Sequence, residues 1–124
     1  MATKSKAAIN AARVTKAIGD IAAIQADIQG YEIAGNSLPA GLVDVDRDQF
    51  LDPWGRPYVY LRFSAGPVPP GARRDVFMVP INSSFDLYSL GEDGASAPPL
   101  TAARSKDDII RGNDGGFIGL ARKF

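Results

Sequence analysis

The chain of 124 residues contains no cysteine and no histidine. Without cysteine it has no disulfide, no thiolate zinc site and no cysteine nucleophile. Without histidine it lacks the commonest general base and the commonest ligand of transition metals. Any metal bound by this chain is therefore expected to be a hard cation held by oxygen atoms. No apolar run approaches the roughly 18 residues that indicate a transmembrane helix.

The chain also has no excess of charge of either sign, because Lys and Arg total 14 and Asp and Glu total 14. A basic surface for nucleic acid is therefore not expected, and we predict no nucleic-acid partner. The 13 glycines and 9 prolines indicate many turns. The length is typical of one domain, so a single domain over 1–124 is predicted.

Apolar residues recur mostly at three- and four-residue spacing in the first quarter of the chain. This pattern predicts one long amphipathic α-helix over about 5–31, with Gly30 or Gly35 as its C-terminal stop. Such a helix is roughly 38 Å long, which exceeds what a small core requires. A helix that extends past its own domain is typical of one that packs on another segment or another subunit. The apolar positions are Ile9, Val14, Ala17, Ile18, Ile21, Ile24, Ile28 and Tyr31.

A connecting region at about 36–57, ending in the turn Asp52–Pro57, leads to a sheet at about 58–90. Residues that favour strands predict three of them, at Tyr58–Phe63, Val76–Val79 and Phe85–Leu90. The expected layout is α+β, with a small antiparallel sheet covering one side of the helix. Several aromatic side chains are expected on the sheet face that packs on the helix. They are Trp54, Tyr58, Tyr60, Phe63 and Phe77.

The last part of the chain, 91–124, is expected to be a loop followed by a glycine-rich tail. The loop runs from Gly91 to Asn113 and contains Pro98-Pro99. A structureless loop of this length is uncommon in a compact domain and needs something to hold it in place. The tail glycines at 112, 115, 116 and 119 are interpreted as turns, with Phe117 and Ile118 able to enter the core.

Acidic residues bracket this loop. Asp93 lies near its start, and Asp107-Asp108 begins 14 residues later. Calcium takes about six to eight oxygen ligands from carboxylates and backbone carbonyls, so a loop with aspartates at both ends and glycine turns suits it chemically. The spacing is not that of an EF-hand. From the residues alone, a calcium site and a simply solvated acidic loop both remain open.

No enzyme is predicted. Asp44, Asp46 and Asp48 form a possible acid–base set, but alternate acids in a short polar linker usually face water. Ser83-Ser84 has no histidine partner and no lysine placed as a base.

Three motifs, in this order, resemble the major pseudopilin of type II secretion, the general secretion pathway protein G family. They are Asp-Pro-Trp-Gly-Arg-Pro-Tyr at 52–58, Tyr-Ser-Leu-Gly-Glu-Asp-Gly at 88–94 and Asp-Asp-Ile at 107–109. The resemblance covers nearly the whole chain and implies a pilin-like fold, with one long helix on a small antiparallel sheet and a long C-terminal loop.

In that family the C-terminal loop holds calcium. The resemblance therefore implies Ca²⁺ here, with Asp93, Asp107 and Asp108 as ligands and the Leu90 carbonyl as a further ligand. The insert 95–106 is longer than the family's usual loop, so the remaining carbonyl ligand is not assigned, and Ser96 is a candidate for it.

The resemblance also implies a structural role. Such subunits polymerise into a periplasmic pseudopilus, together with other pseudopilins and an inner-membrane assembly platform, and push folded proteins through the outer membrane. The full-length protein would cross the inner membrane once, with this domain in the periplasm. Family members begin with a leader and a hydrophobic helical segment that Met1-Ala2-Thr3 does not match, so we expect the anchoring segment to be missing from this sequence.

Two other classes remain open. A type IV pilin or a minor pseudopilin shares the expected fold, although the absence of cysteine argues against pilins with a C-terminal disulfide loop. A small calcium-dependent module that binds carbohydrate or another ligand is the more distant alternative, and it requires an exposed ion beside an apolar shelf.

Overall fold

A computed structural model describes residues 5–124, and the Met1-Ala2-Thr3 start lies outside the described residues. One long helix packs on an antiparallel sheet of four strands in the order β1-β2-β3-β4. The α+β layout expected from the sequence is therefore confirmed. The elements are α1 Lys6–Gly35, β1 Val59–Arg62, β2 Phe85–Ser89, β3 Ile109–Gly112 and β4 Phe117–Leu120, with short 3₁₀ turns at Leu42–Val45, Ala103–Ser105, Asn113–Gly115 and Ala121–Lys123.

Helix α1 begins where the Ser5 side chain accepts a hydrogen bond from the Ala8 amide at 3.1 Å. It ends at Gly35, one of the two predicted stops and four residues beyond the approximate end at 31. Asn36 ends it there, because it adopts a left-handed conformation and its amide bonds the Glu32 carbonyl. Its 30 residues span about 45 Å. Every residue from Gln29 to Gly35 is exposed, so the helix continues past the sheet. Among the described residues, no helix combines the length and apolarity needed to cross a membrane.

The middle of α1 and one face of the sheet form the main core. Alternation along the strands sends Phe85 and Leu87 toward the helix, while Asp86 and Tyr88 point to the other side. The Tyr58 hydroxyl donates to the buried Asp20 carboxylate at 2.7 Å, which satisfies both polar groups inside this core. The buried members are Ala17, Ile21, Ile24, Ile28, Tyr58, Phe85, Leu87 and Ile109.

Loops rather than a second helix cover the far face of the sheet. A smaller cluster lies there, built from Ile81, Tyr88, Leu100, Ile110 and Ala121. Buried polar groups complete the cover. The Asp86 carboxylate accepts from the Arg73 amide at 2.7 Å and from the Asn82 side chain at 3.0 Å. The Arg73 guanidinium lies 4.3 Å from the centre of the Tyr88 ring.

The strand predicted at Val76–Val79 is wrong, because this segment is a tight turn. The Asp75 carboxylate accepts hydrogen bonds from the Phe77 and Val79 amides, and Met78 has a left-handed φ of 62°. These local bonds occupy the amides that a strand would pair, so turn formation overrides the β propensity of the side chains. Phe77 is 82% exposed and does not pack on the helix as expected.

The prediction of a structureless Gly91–Asn113 loop and a turn-rich tail is also wrong in part. The loop ends at Asp108, and β3 and β4 extend the sheet beyond the predicted limit of residue 90. Gly112 lies on β3, where a Cβ atom would come within 2.4 Å of the Phe124 ring. Glycine there allows an aromatic side chain to lie against the strand, which composition alone does not distinguish from a turn.

Candidate metal centre in the C-terminal loop

A tight turn, Gly91–Gly94, follows β2 and lies directly against the Asp107 backbone. Gly91 has φ 69°, and a Cβ atom there would lie 2.2 Å from the Asp107 carbonyl oxygen. Only glycine permits both this conformation and this close approach. The contact brings the two ends of the acidic loop together, because the Asp93 amide then donates to the Asp107 carboxylate at 2.9 Å.

Asp93, Asp107 and Asp108 thus lie side by side, and one carboxylate oxygen from each is within 4.8 Å of the others. Asp93 is exposed, Asp107 is half-buried and Asp108 is fully buried. Two oxygens of this cluster, Asp107 Oδ1 and Asp108 Oδ1, are buried without any hydrogen-bond partner. Buried carboxylate oxygens are normally paired, so these two atoms are suited to a cation.

The electrostatics of the cluster point the same way. Burial raises the pKa of Asp108 to about 7, the Ser96 hydroxyl opposes this rise, and the Asp107 charge adds to it. Burial also raises the pKa of Asp107, partly offset by the bond from the Asp93 amide, while the Asp93 charge adds to the rise. The Arg73 charge lowers the pKa of Asp108 without cancelling the rise, so positive charge at the three carboxylates is too small, and a divalent cation supplies it when bound.

The rest of the loop is held by its own bonds. The Ser105 hydroxyl donates to the Ala97 carbonyl at 2.6 Å and accepts from the Ala97 amide at 2.9 Å. Pro98 and Leu100 pair with Arg74 through two backbone bonds of 2.8 Å. The long insert is therefore fixed at its middle, and the three carboxylates lie at its two ends.

Ser96 and Leu90, the two other expected ligands, lie close to the aspartates in space or along the chain. The Ser96 hydroxyl donates a very short hydrogen bond to Asp108 Oδ2, so this side chain contacts a candidate ligand. Leu90 immediately precedes the Gly91–Gly94 turn and packs its side chain against the far-face cluster. Its carbonyl as a ligand stays a prediction.

A buried network that the motif search did not identify supports the turn from the other side. Asp52 accepts from the Trp54 and Arg56 amides and from the Ser89 hydroxyl, the last at 2.7 Å. The same Ser89 oxygen accepts from the Gly91 amide at 3.0 Å. Arg56 also donates to the Gly91 carbonyl at 3.1 Å.

This network connects the first and second sequence motifs physically. From the sequence, Asp52 is only the first residue of the predicted turn 52–57, and the bonds from the Trp54 and Arg56 amides to its side chain hold that turn. The only sequence signal that Asp52 also supports the Gly91–Gly94 turn is that small polar residues, Asp52 and Ser89, stand next to the turns that contain glycine. A sequence does not reveal that two such positions, 37 residues apart, meet.

The other acidic set considered from the sequence lies elsewhere. Asp44, Asp46 and Asp48 are exposed, in and just after the 3₁₀ turn that packs on α1. The Asp44 carboxylate accepts from the Ala40 and Gly41 amides.

Comparisons with models of known protein families, with curated proteins and with solved structures found no significant match.

Proposed function

We propose that this chain is the globular part of a pseudopilin-type filament subunit whose C-terminal loop is closed by calcium. The observation that carries the metal site is the pair of buried, unpartnered oxygens on Asp107 and Asp108 beside the Asp93 carboxylate. Three carboxylates provide part of the oxygen shell that calcium takes, and backbone carbonyls such as that of Leu90, or water, would provide the rest.

Hard-cation chemistry suits the donors. All three side-chain donors are carboxylates, and the chain has no histidine or cysteine to favour a softer metal. When bound, the ion supplies positive charge that offsets the mutual repulsion of the aspartates. The chain's own part is to hold Asp93 against Asp107 through the Gly91–Gly94 turn and to keep Asp108 buried beneath it.

The structural role rests on the helix. Fully buried residues of helix α1 lie only between Ala17 and Ile28, and Val14 still packs on the core. Both ends of the helix, 6–9 and 29–35, are exposed. The exposed ends of α1 are surfaces on which a helix of another subunit could pack. The role is mechanical, with a subunit that adds to a filament of copies of itself and of related pseudopilins on an inner-membrane platform and so moves folded proteins out of the periplasm.

Calcium-dependent unfolding tests the proposal. A ligand present at about 100 times its dissociation constant stabilises a protein by about 2.7 kcal/mol. For a domain of this size that corresponds to a rise in Tm on the order of 10 °C. We expect this rise when calcium replaces EDTA, a smaller rise with magnesium, and none in Asp93→Ala or Asp107→Ala.

Asp48→Ala is the matched control, because it removes an exposed aspartate outside the loop. It is expected to keep the full calcium response. A Tm that is the same in EDTA and in millimolar calcium would remove the metal site and leave the loop held by packing alone.

A further inference from the structure

The turn that replaces the expected second strand presents four consecutive apolar side chains to solvent. Val76, Phe77, Met78 and Val79 are 66%, 82%, 54% and 53% exposed. We call Val76–Val79 the apolar turn. Scattered exposed apolar residues are ordinary, whereas a contiguous patch marks an interaction site.

The apolar turn is rigid rather than a loose loop. Asp75 holds it by two side-chain bonds, by its amide to the Val79 carbonyl at 2.9 Å and by its carbonyl to the Met78 amide at 3.0 Å. Arg74 donates to the Met78 carbonyl at 3.2 Å. A preformed turn loses little conformational entropy when it binds a partner.

Beside the apolar turn lies an open groove of about 600 Å³, which we call the basic groove. Its apolar lining includes Val76, Phe77, Leu100 and Phe124. Its charged lining consists of two cations, Lys106 and Arg122, and one acid, Asp75, whose Oδ1 is engaged by the amides of the apolar turn. Lys106 and Arg122 are exposed, and neither forms an ion pair with any residue from 5 to 124. Leu100 belongs to the far-face cluster, so the groove opens on the side of the sheet away from α1.

The opposite side of the molecule carries the complementary pattern, which we call the acidic edge. It consists of Glu32 and Ile33 near the end of α1 with Val43, Asp44 and Asp46 in the adjacent 3₁₀ turn and its cap. Ile33 is 82% exposed and Val43 is 62% exposed.

Two observations place the members of the acidic edge together. Arg47, next to Asp46, bonds Asp27 of α1 at 2.8 Å and so ties the 3₁₀ segment to the helix. Burial raises the pKa of Tyr60 to about 12. The Arg62 charge opposes this rise in pKa, and the charges of Glu32 and Asp44 add to it, so both carboxylates lie near the Tyr60 hydroxyl. Tyr60 lies on β1, at the sheet edge opposite to β4.

The geometry points to a head-to-tail contact in which the apolar turn and basic groove of one copy bind the acidic edge of a second copy. The two surfaces are complementary in charge and both are partly apolar. The basic groove places Lys106 and Arg122 beside the apolar turn, and the acidic edge places carboxylates beside Ile33 and Val43. The two surfaces lie at opposite edges of the sheet and on opposite sides of it. The contact is therefore heterologous, and a dimer formed by it leaves one surface of each kind free. Where the rotation does not close a ring, the contact propagates as an open helical assembly, as the proposed filament role requires. This inference rests on the proposed filament role and names the surfaces that would carry it.

Disulfide trapping tests the contact, because the chain has no cysteine of its own. Ala34→Cys lies beside Ile33 and Thr101→Cys lines the groove, and both positions are exposed. The two full-chain variants carry different tags, and an equimolar mixture is oxidised at low salt. Random pairing would make half of the dimers mixed. We expect mixed dimers to outnumber the two kinds of homodimer together by roughly tenfold, the ratio that a few exposed ion pairs acting together produce. High salt is expected to remove the excess.

Charge exchange sharpens the test. Asp44→Lys with Asp46→Lys in the Ala34→Cys copy should abolish the excess, and Lys106→Glu with Arg122→Glu in the Thr101→Cys copy should restore it. Ala8→Cys, exposed at the other end of α1, replaces Ala34→Cys as the matched control and should give random proportions. Random proportions at every salt concentration, or no restoration by the exchanged charges, would overturn the contact.

The result is separate from the calcium test. Mixed dimers together with a Tm that ignores calcium would overturn the metal site and keep the contact. Calcium stabilisation together with random trapping would overturn the contact and keep the metal site.

Discussion

The two faces of the sheet are covered by different means. On the α1 side, buried apolar residues at helical spacing meet alternating apolar residues of the strands. On the far side, loops lie over a smaller apolar cluster and bury polar groups such as Asp86, Arg73 and Asn82. The helix side depends mainly on area and shape, with the bond between Tyr58 and Asp20 as a buried polar pair. The far side depends more on individual hydrogen bonds, such as those that Asp86 accepts.

The largest effect is expected on the helix side. Ile24 is fully buried in the main core, and Ile24→Ala removes apolar contacts and leaves a cavity. The expected loss is about 3–4 kcal/mol in the free energy of unfolding, measured by urea titration. Ile33→Ala, at an exposed position of the same helix, should change it by less than about 0.5 kcal/mol. Equal losses from both would show that α1 does not pack as described.

The far side is expected to respond nearly as strongly to the loss of one polar group. Asp86→Ala leaves the Arg73 amide and the Asn82 side chain without their buried acceptor. We expect a loss of roughly 2–3 kcal/mol by the same titration, since bonds to a charged group are involved. Asp48→Ala, at an exposed position, serves as control. If Asp86→Ala unfolds like the parent chain, the far face is held by its apolar cluster alone.

The pH dependence of the metal-free chain tests the burial of Asp108 in the acidic loop. The folded-state pKa of Asp108 is raised from its ordinary 3.8 to about 7, so the folded chain binds a proton there that the unfolded chain has released. Stability should therefore fall as pH rises through that window, by an amount on the order of 2 kcal/mol once solvent screening is allowed for.

Thermal unfolding in EDTA at a series of pH values measures this effect. Asp108→Asn should make this fall smaller, because its side chain carries no titrating proton, while the raised pKa values of Asp86 and Asp107 keep part of it. Calcium should reverse the trend, because the ion competes with protons for the same oxygens. A metal-free chain that becomes more stable between pH 4 and pH 7 would contradict the assigned burial of Asp108.

The smallest effect is expected from the bond that joins the turn 52–57 to the Gly91–Gly94 turn. Ser89→Ala removes the hydroxyl that joins Asp52 to the Gly91 amide. We expect a loss of about 1 kcal/mol in stability and a weaker calcium response, because the Gly91–Gly94 turn is then less firmly placed. Ser64→Ala, at an exposed position after β1, is the control. An unchanged calcium midpoint would show that the turn is positioned by Arg56 and glycine geometry without Ser89.

The helix and the pairing partners β1 and β2 were predictable because their signals are local. Periodic isoleucines specify α1, and aromatic and β-branched residues specify the strands. Val76–Val79 misled for the same reason, since its composition favours a strand while the side chain of Asp75 directs its backbone into a turn. The strands β3 and β4 were missed because Gly112 and Gly119 resemble turn residues until Phe124 and Phe117 are seen against them.

The sequence by itself determined the α+β layout, the helix and the three aspartates as candidate ligands, because apolar periodicity and residue chemistry act over short stretches of chain. Only the tertiary structure decided that Asp93 meets Asp107 and Asp108, that two of their oxygens are buried without partners, and that Val76–Val79 projects as an apolar turn beside a basic groove. Those features arise where segments distant along the chain come into contact. Burial and hydrogen-bond pairing depend on that contact, so no single segment determines them.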